Sequence, residues 1–249
     1  MNSTGKTLLL LGATSDIGRA TAIAYGMAGW NVQLAGRALE AVEREADDIR
    51  TRCGTSVTAH QLDILTTEQF QPFIESLPTL PDTVVCVIGE LGEQPRAEKE
   101  AAHAVSVLRT NFEGPAIFLG MLAERFGSRG SGAIVGVSSV AGDRGRSSNY
   151  VYGSAKAGFT AFLSGLRNRL ASVGVRVLTV KPGFVRTRMT AGMALPGLLT
   201  AEPDEVGNAI FKAAEVSKSR DVIYVRSIWW PLMSVIRAIP EPVFKRLRL

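Results

Sequence analysis

Cysteine and histidine are almost missing from this chain, with two of each in 249 residues. Cys53 and Cys86 stand alone, and His60 and His103 do not join them at metal-site spacing. A disulfide framework and a structural zinc site are therefore excluded, and a reducing, cytoplasmic setting is the expectation. Also lacking is any stretch near the ~20 apolar residues that cross a bilayer. The run TLLLLGAT at the start is short and enters a glycine-containing turn, so it reads as a buried strand and not as a signal segment. Charge of one sign is not in excess either: 28 Lys and Arg stand against 23 Asp and Glu, a net +5. With no basic stripe carrying interleaved aromatics, a nucleic-acid partner is excluded. Repeats, low-complexity segments and internal linkers are absent.

What is present is an alternation. Apolar runs of strand length at 7–11, 31–35, 56–60, 83–88, 133–138, 175–180 and 222–225 alternate with amphipathic segments at 18–28, 38–51, 67–76, 97–126, 150–173 and 203–217. Continuous apolar strands separated by helices predict a parallel sheet covered on both faces. The expected fold is α/β: a single-domain, doubly wound Rossmann fold with seven parallel strands. It spans 1–226, and a C-terminal apolar and basic helical tail occupies 227–249.

Directly after the first strand comes GATSDIGRA. Gly12 suits the tight turn and Gly18 lets the next helix pack on the sheet, with Thr14, Ser15 and Ile17 between them. Backbone amides at such a helix start form a pyrophosphate site. Asp16 stands where a dinucleotide fingerprint has its middle glycine; a carboxylate there repels phosphate unless it caps the free amides of the first turn. The second strand ends LAGR, so Gly36 and Arg37 replace the acid that would accept from a ribose hydroxyl. A cation at Arg37 favours NADP(H) over NAD(H), with NAD(H) kept open; the same residue also fits a solvated helix start.

Farther along, Tyr152 and Lys156 stand four residues apart, and Ser139 lies upstream in VGVSSVAG. On a helix, positions i and i+4 share one face, which brings the ammonium to the phenol. A neighbouring cation is expected to lower the phenol below its usual ~10. The trio fits acid–base chemistry at a carbonyl, while the same tyrosine–lysine spacing alone also fits an ordinary helix face.

Taken together, GATSDIG, Asn111, Ser139, Tyr152 with Lys156, and PGFVRT at 182–187 resemble the short-chain dehydrogenase/reductase family over residues 5 to about 226. The resemblance implies that Tyr152 gives the proton, Lys156 holds the nicotinamide ribose, Ser139 binds the carbonyl and Asn111 supports a water relay. It also implies cofactor contacts from Asp63, Gly89, Pro182, Gly183, Val185 and Thr187. Val87-Ile88-Gly89 departs from the family's usual Asn-Ala-Gly. The loops and tail are similar, more narrowly, to reductases acting on decaprenylphosphoryl-2-keto-pentose.

Arg144 and Arg146 follow Ser139, and Arg186 and Arg188 follow the Pro-Gly turn; all four leave strand ends where a substrate phosphate can meet guanidinium forks, and the same residues also fit surface or subunit contacts. In the tail, Trp229, Trp230, Leu232, Val235 and Phe244 mix with Arg237, Lys245, Arg246 and Arg248. That composition fits a peripheral membrane contact at the inner face, a subunit contact or a lid on the cleft. The expected function is reduction of a small-molecule or lipid-linked carbonyl, in a homo-oligomer (dimer or tetramer) and without a metal. A keto-sugar on a polyprenyl phosphate is the favoured substrate. A general reductase of lipophilic ketones or 3-oxoacyl groups, and a non-catalytic dinucleotide-binding sensor, are the alternatives.

Overall fold

Strict alternation of buried side chains in the first strand sets the architecture. In this computed structural model, which describes residues 5–215 and 220–247, strand β1 (Thr7–Leu11) is buried along its whole length. Leu8 and Leu10 point to one hydrophobic cluster, Leu9 and Leu11 to the other. A strand with apolar residues on both faces is stable only between two layers of helices. Those layers come from the elements that follow: α1 (Asp16–Met27), β2 (Asn31–Gly36), α2 (Leu39–Cys53), β3 (Val57–Gln61), α3 (Phe70–Ser76) and β4 (Thr83–Cys86). After them come α4 (Gln94–Ala97), α5 (Ala101–Leu108), α6 (Gly114–Arg129), β5 (Gly132–Val137), α7 (Tyr150–Leu170) and β6 (Val175–Pro182). The chain ends with β7 (Phe184–Val185), β8 (Thr200–Ala201), α8 (Pro203–Glu215), β9 (Val222–Val225), α9 (Trp229–Ala238) and α10 (Glu241–Phe244).

Seven strands pair in the order β3-β2-β1-β4-β5-β6-β9, all parallel, while β7 and β8 form a small separate pair. The chain winds outward from β1 to β3 and then returns to β4. That reversal opens a crevice at the carboxyl ends of β1 and β4, where ligands bind in sheets of this kind. One face carries Tyr25, Ile49 and Ile210 from α1, α2 and α8; the other carries Phe70, Phe118 and Phe159 from α3, α6 and α7.

Several boundaries differ from the sequence expectation. The helix expected over 97–126 is interrupted: α4 and α5 are separate, and a π-helical turn, Arg109–Glu113, joins α5 to α6. That wider turn carries Asn111, whose side-chain amide donates to the Val107 carbonyl at 2.8 Å within the same helix. The strand expected over 83–88 stops at Cys86, because Val87 to Gly89 turn along the crevice. Residues 216–217, at the end of the last expected helix, and Arg248 lie outside the described residues.

The tail lies against the domain. Trp229 and Met233 of α9 are buried with Val140, with Phe184 and Ile236 packed around them. Entry to the tail is fixed by Arg226 (φ 60), whose guanidinium pairs with Glu205 and donates to the Gly197 and Leu198 carbonyls. Among the described residues no helix is long and apolar enough to cross a membrane.

Candidate active site

The loop after β1 is built around Ser15. Its hydroxyl donates to the Gly12 carbonyl at 2.8 Å and accepts from the Gly18 amide at 3.0 Å, capping α1. A Cβ on Gly18 would stand 2.4 Å from the Gly12 carbonyl oxygen, so the helix can approach the turn this closely only with glycine there. The expectation that Asp16 caps the helix is corrected: Ser15 holds that position. Asp16 instead accepts from the Arg188 backbone amide at 2.8 Å and its Nε at 3.1 Å. The guanidinium neutralises the carboxylate that would otherwise repel a phosphate, and also donates to the Thr14 carbonyl.

Beside this loop lies a cleft of about 520 Å³, within the range of small-molecule sites. Thr14 and Ile17 line it near the helix start, Arg37 and Asp63 at the far end, and Gly89 and Thr187 toward the sheet. Arg37 is exposed. Asp63 shapes the end wall by accepting from the Leu65 amide at 2.9 Å. Val87, where the family has asparagine, packs against the Gly12 turn. These features fit a dinucleotide: an uncharged turn at a helix start for the diphosphate, a cation at the adenosine end and an open floor at Gly89.

A second, narrower cavity of about 150 Å³ shares Ile17, Val87, Gly89 and Thr187 with the first. Ser139, Tyr152 and Lys156 meet there, with Pro182, Gly183 and Val185 opposite. Two glycines make this possible. A Cβ on Gly142 would lie 2.7 Å from the Ala157 amide, and one on Gly153 2.9 Å from the Ala141 carbonyl. Their bare backbones let the turn after β5 press against α7, which brings the Ser139 hydroxyl and the Tyr152 phenol to one cavity. Ser139 accepts from the Ala141 amide at 3.1 Å. The adjacent Ser138 is spent inside the protein, donating to the Lys156 carbonyl at 3.0 Å and pairing with Thr160 at 2.7 Å.

Asn111 is fully buried and clips the loop after Gly89. It donates to the Glu90 carbonyl at 2.7 Å and accepts from the Glu90 amide at 3.1 Å. A Cβ on Gly89 would stand 2.9 Å from the Asn111 carbonyl oxygen and 3.2 Å from the Lys156 ammonium, so the loop, the amide and the lysine form one packed group.

Electrostatics in this cavity run against the expectation for the phenol. Burial pushes the Tyr152 hydroxyl up to about 12, and only the neighbouring Ser139 hydroxyl opposes it. Burial likewise pulls the Lys156 ammonium down to about 8. The ammonium is 5.8 Å from the Tyr152 ring centroid and donates to the Val137 carbonyl at 3.2 Å, so its proton affinity is set by desolvation and not by the phenol. In this state the phenol is a neutral acid, suited to giving a proton to an oxygen placed between it and Ser139.

Of the four arginines expected at a substrate, three are engaged by the protein itself. Arg144 lies over the Phe244 ring at 4.2 Å and pairs with Glu241 at 2.5 Å, tying the loop to α10. Arg186 pairs with Glu202 at 2.9 Å, and Arg188 holds Asp16. Arg146 alone lines the cavity of Tyr152.

Sequence reasoning named one contributor among several possible roles of the tail and missed another. Trp229 lies on the Pro182-Gly183 turn so closely that a Cβ on Gly183 would be 1.9 Å from its ring, and its indole donates to the Leu199 carbonyl at 3.0 Å. The aromatic tail pointed to this residue without pointing to its place. The other is a buried cluster beneath the cavity: Lys181 pairs with Asp143 at 2.5 Å, and the Tyr224 hydroxyl donates to the other Asp143 oxygen at 2.8 Å. Its members are distant in sequence and carry no local motif.

The comparisons with known proteins agree with this geometry. The family model described as short chain dehydrogenase matches residues 6–195. The chain belongs to the short-chain dehydrogenase/reductase family of oxidoreductases. It is 35% identical over 99% of both chains to an uncharacterised oxidoreductase of Mycobacterium tuberculosis. Among solved structures it is similar to a Beutenbergia cavernae protein with bound NADP, 27% identical over 91% of this chain and 97% of the other, with a TM-score of 0.82. A short-chain dehydrogenase from Sphingobium yanoikuyae in complex with NADPH, 23% identical over 95% of this chain and 97% of the other, shares the fold with a TM-score of 0.80.

Proposed function

We propose that the protein is an NADP(H)-dependent carbonyl reductase whose proton comes from Tyr152. One observation carries the reading: the phenol, the Ser139 hydroxyl and the Lys156 ammonium line a cavity that shares a wall with the dinucleotide-sized cleft. Bound NADPH supplies a hydride to the carbonyl carbon. Ser139 holds the carbonyl oxygen by a hydrogen bond, and Tyr152 gives it the proton. The Lys156 ammonium, charged below its value of about 8, stabilises the phenolate left behind. Asn111 keeps the Gly89–Glu90 loop in place beneath them.

The finer reading is a keto-sugar carried on a polyprenyl phosphate. Its support is the apolar wall of the cavity, made by Leu91, Val140, Phe184, Met189, Met193 and Trp229, and a tail that exposes Trp230 (59%) and Val235 (65%). An apolar surface beside Arg237 and Lys245 suits the interface of an anionic membrane that holds such a lipid. Rates of NADPH oxidation with a soluble ketone beside a prenyl-phosphate keto-sugar test both levels. A preference for the second supports the finer reading, and NADPH binding without turnover on any carbonyl overturns the reductase.

Arg37 is assigned to the adenosine 2′-phosphate. Replacing it with Glu is expected to raise the KM for NADPH by about 10- to 100-fold, the range of a charged hydrogen bond lost, with the KM for NADH little changed. Equal loss with both cofactors sinks the assignment.

A further inference from the structure

We infer that Arg146 and Asn149 form a recognition site at the mouth of the catalytic cavity, taking an anionic group and a hydroxyl of the substrate. The inference rests on the reductase reading and names the class of its substrate: a hydroxylated carbonyl compound with an anionic substituent.

Unmet hydrogen-bonding capacity carries it. Among the described residues five buried side-chain polar atoms lack a hydrogen bond: Tyr25 Oη, Gln33 Oε1, Glu45 Oε2, Arg146 Nε and Asn149 Oδ1, and of these Glu45 Oε2 still pairs with Arg19 at 2.9 Å. Only the last two belong to residues that line the cavity of Ser139 and Tyr152. Buried polar groups are nearly always paired, and an orphan at a cavity marks a ligand's place. The two orphans are complementary in kind. The guanidinium offers a donor and a charge, and the amide oxygen offers an acceptor. A ligand that satisfies both presents an anion or strong acceptor to Arg146 and a hydroxyl to Asn149.

The surroundings leave Arg146 no counter-charge of its own. Asp143, the acid that opposes its desolvation, already binds Lys181 and Tyr224 with its two oxygens. Burial depresses the guanidinium's proton affinity, the mark of an incompletely compensated cation. Asn149 stands at the N-cap of α7, where an asparagine ordinarily bonds the first amides, yet its side chain makes no cap bond. The nearest candidate partners are already engaged: Asp143 by Lys181 and Tyr224, and the Val151 amide by Gln94.

Geometry also gives the ligand a direction. Arg146 lines a second, open groove of about 370 Å³ with Ser147, Tyr150, Phe244 and Lys245. It therefore stands between the catalytic cavity and this groove. A substrate with its carbonyl at Tyr152 and its anion at Arg146 continues outward beside Lys245 and the apolar tail. A phosphate ester, a carboxylate and the phosphate of a lipid share this anionic chemistry.

Equilibrium binding to the protein loaded with NADP⁺, which cannot reduce a ketone, tests the site without turnover. The probes are ribulose, ribulose 5-phosphate, 2-ketogluconate and farnesyl phosphate, with inorganic phosphate as competitor. At least one anionic ketone is expected to bind about tenfold or more tightly than ribulose. Arg146→Met should erase that ratio, and Arg146→Lys should keep part of it. Asn149→Ala should weaken ribulose and ribulose 5-phosphate alike. NADP⁺ affinity in each variant reports that the fold is kept. Farnesyl phosphate displacing the anionic ketone at lower concentration than inorganic phosphate assigns the anion to a lipid; the reverse order assigns it to a soluble ester. Equal affinity for charged and neutral ketones, or a ratio that survives Arg146→Met, overturns the inference. A protein that shows the ratio but oxidises no NADPH with any ketone keeps the site and loses the reductase.

Discussion

Tyr152→Phe is expected to lower kcat by roughly 10²- to 10⁴-fold, the contribution of a positioned general acid, while NADPH affinity stays within about twofold of wild type. The split follows from geometry. The phenol lines the narrow cavity with Ser139, while the phosphate loop and Arg37 lie in the larger cleft. Losing one oxygen removes the proton donor without opening a void. Stopped-flow NADPH oxidation beside a cofactor titration separates the two quantities, and near-normal kcat would overturn the role. A pH series adds a second arm. Lys156 is lowered to about 8, so its ammonium is present below that value and lost as pH rises through it. With NADPH varied, kcat/KM reports the unliganded protein, and it should be flat near neutrality and fall with a midpoint near 8. The phenol, near 12, stays protonated throughout this range. A profile that stays flat to pH 10 would remove Lys156 from the charge balance.

The second large effect is on stability. Asp143→Asn leaves the Lys181 ammonium without its counter-charge, in a pair whose side chains are only 3% and 7% exposed. Breaking one side of a buried ion pair costs about 3–5 kcal/mol. For a chain of this size that corresponds to a fall in Tm on the order of 10 °C. The Tyr224 hydroxyl also loses a charged acceptor. Removing both charges together, Asp143→Asn with Lys181→Met, should recover most of the loss, because the buried ammonium is gone with its counter-charge. Thermal unfolding of the two single variants and the double variant measures this directly. A double variant as unstable as the sum of the singles would show that the pair holds the loops by shape and not by charge.

These expectations draw on different levels of the molecule. The strand–helix alternation and the glycine-marked turn are local patterns, and each maps onto an element: the seven runs are the seven strands of the parallel sheet, and GATSDIG is the turn capped by Ser15. Spacing alone was enough to put Tyr152 and Lys156 on one face of α7, since a helix brings i and i+4 together wherever it lies. The break between α5 and α6 was not legible. A π-helical turn is set by i→i+5 backbone bonds such as that from the Gly114 amide to the Arg109 carbonyl, and apolar periodicity does not register it.

By itself the sequence determined the winding of the sheet, the place of the phosphate turn and the helix that carries the phenol and the ammonium. Tertiary structure alone decided how the charged residues are used. Arg144, Arg186 and Arg188 look equivalent to Arg146 in the sequence. Only the fold places Glu241, Glu202 and Asp16 beside the first three and leaves the fourth at the cavity. The same holds for Asp143, Lys181 and Tyr224, and for Trp229 on Gly183. The physical reason is range: backbone periodicity is set by neighbours within a few residues, whereas the pairing of a charge or the seat of a ring is set by chain segments that meet only after folding.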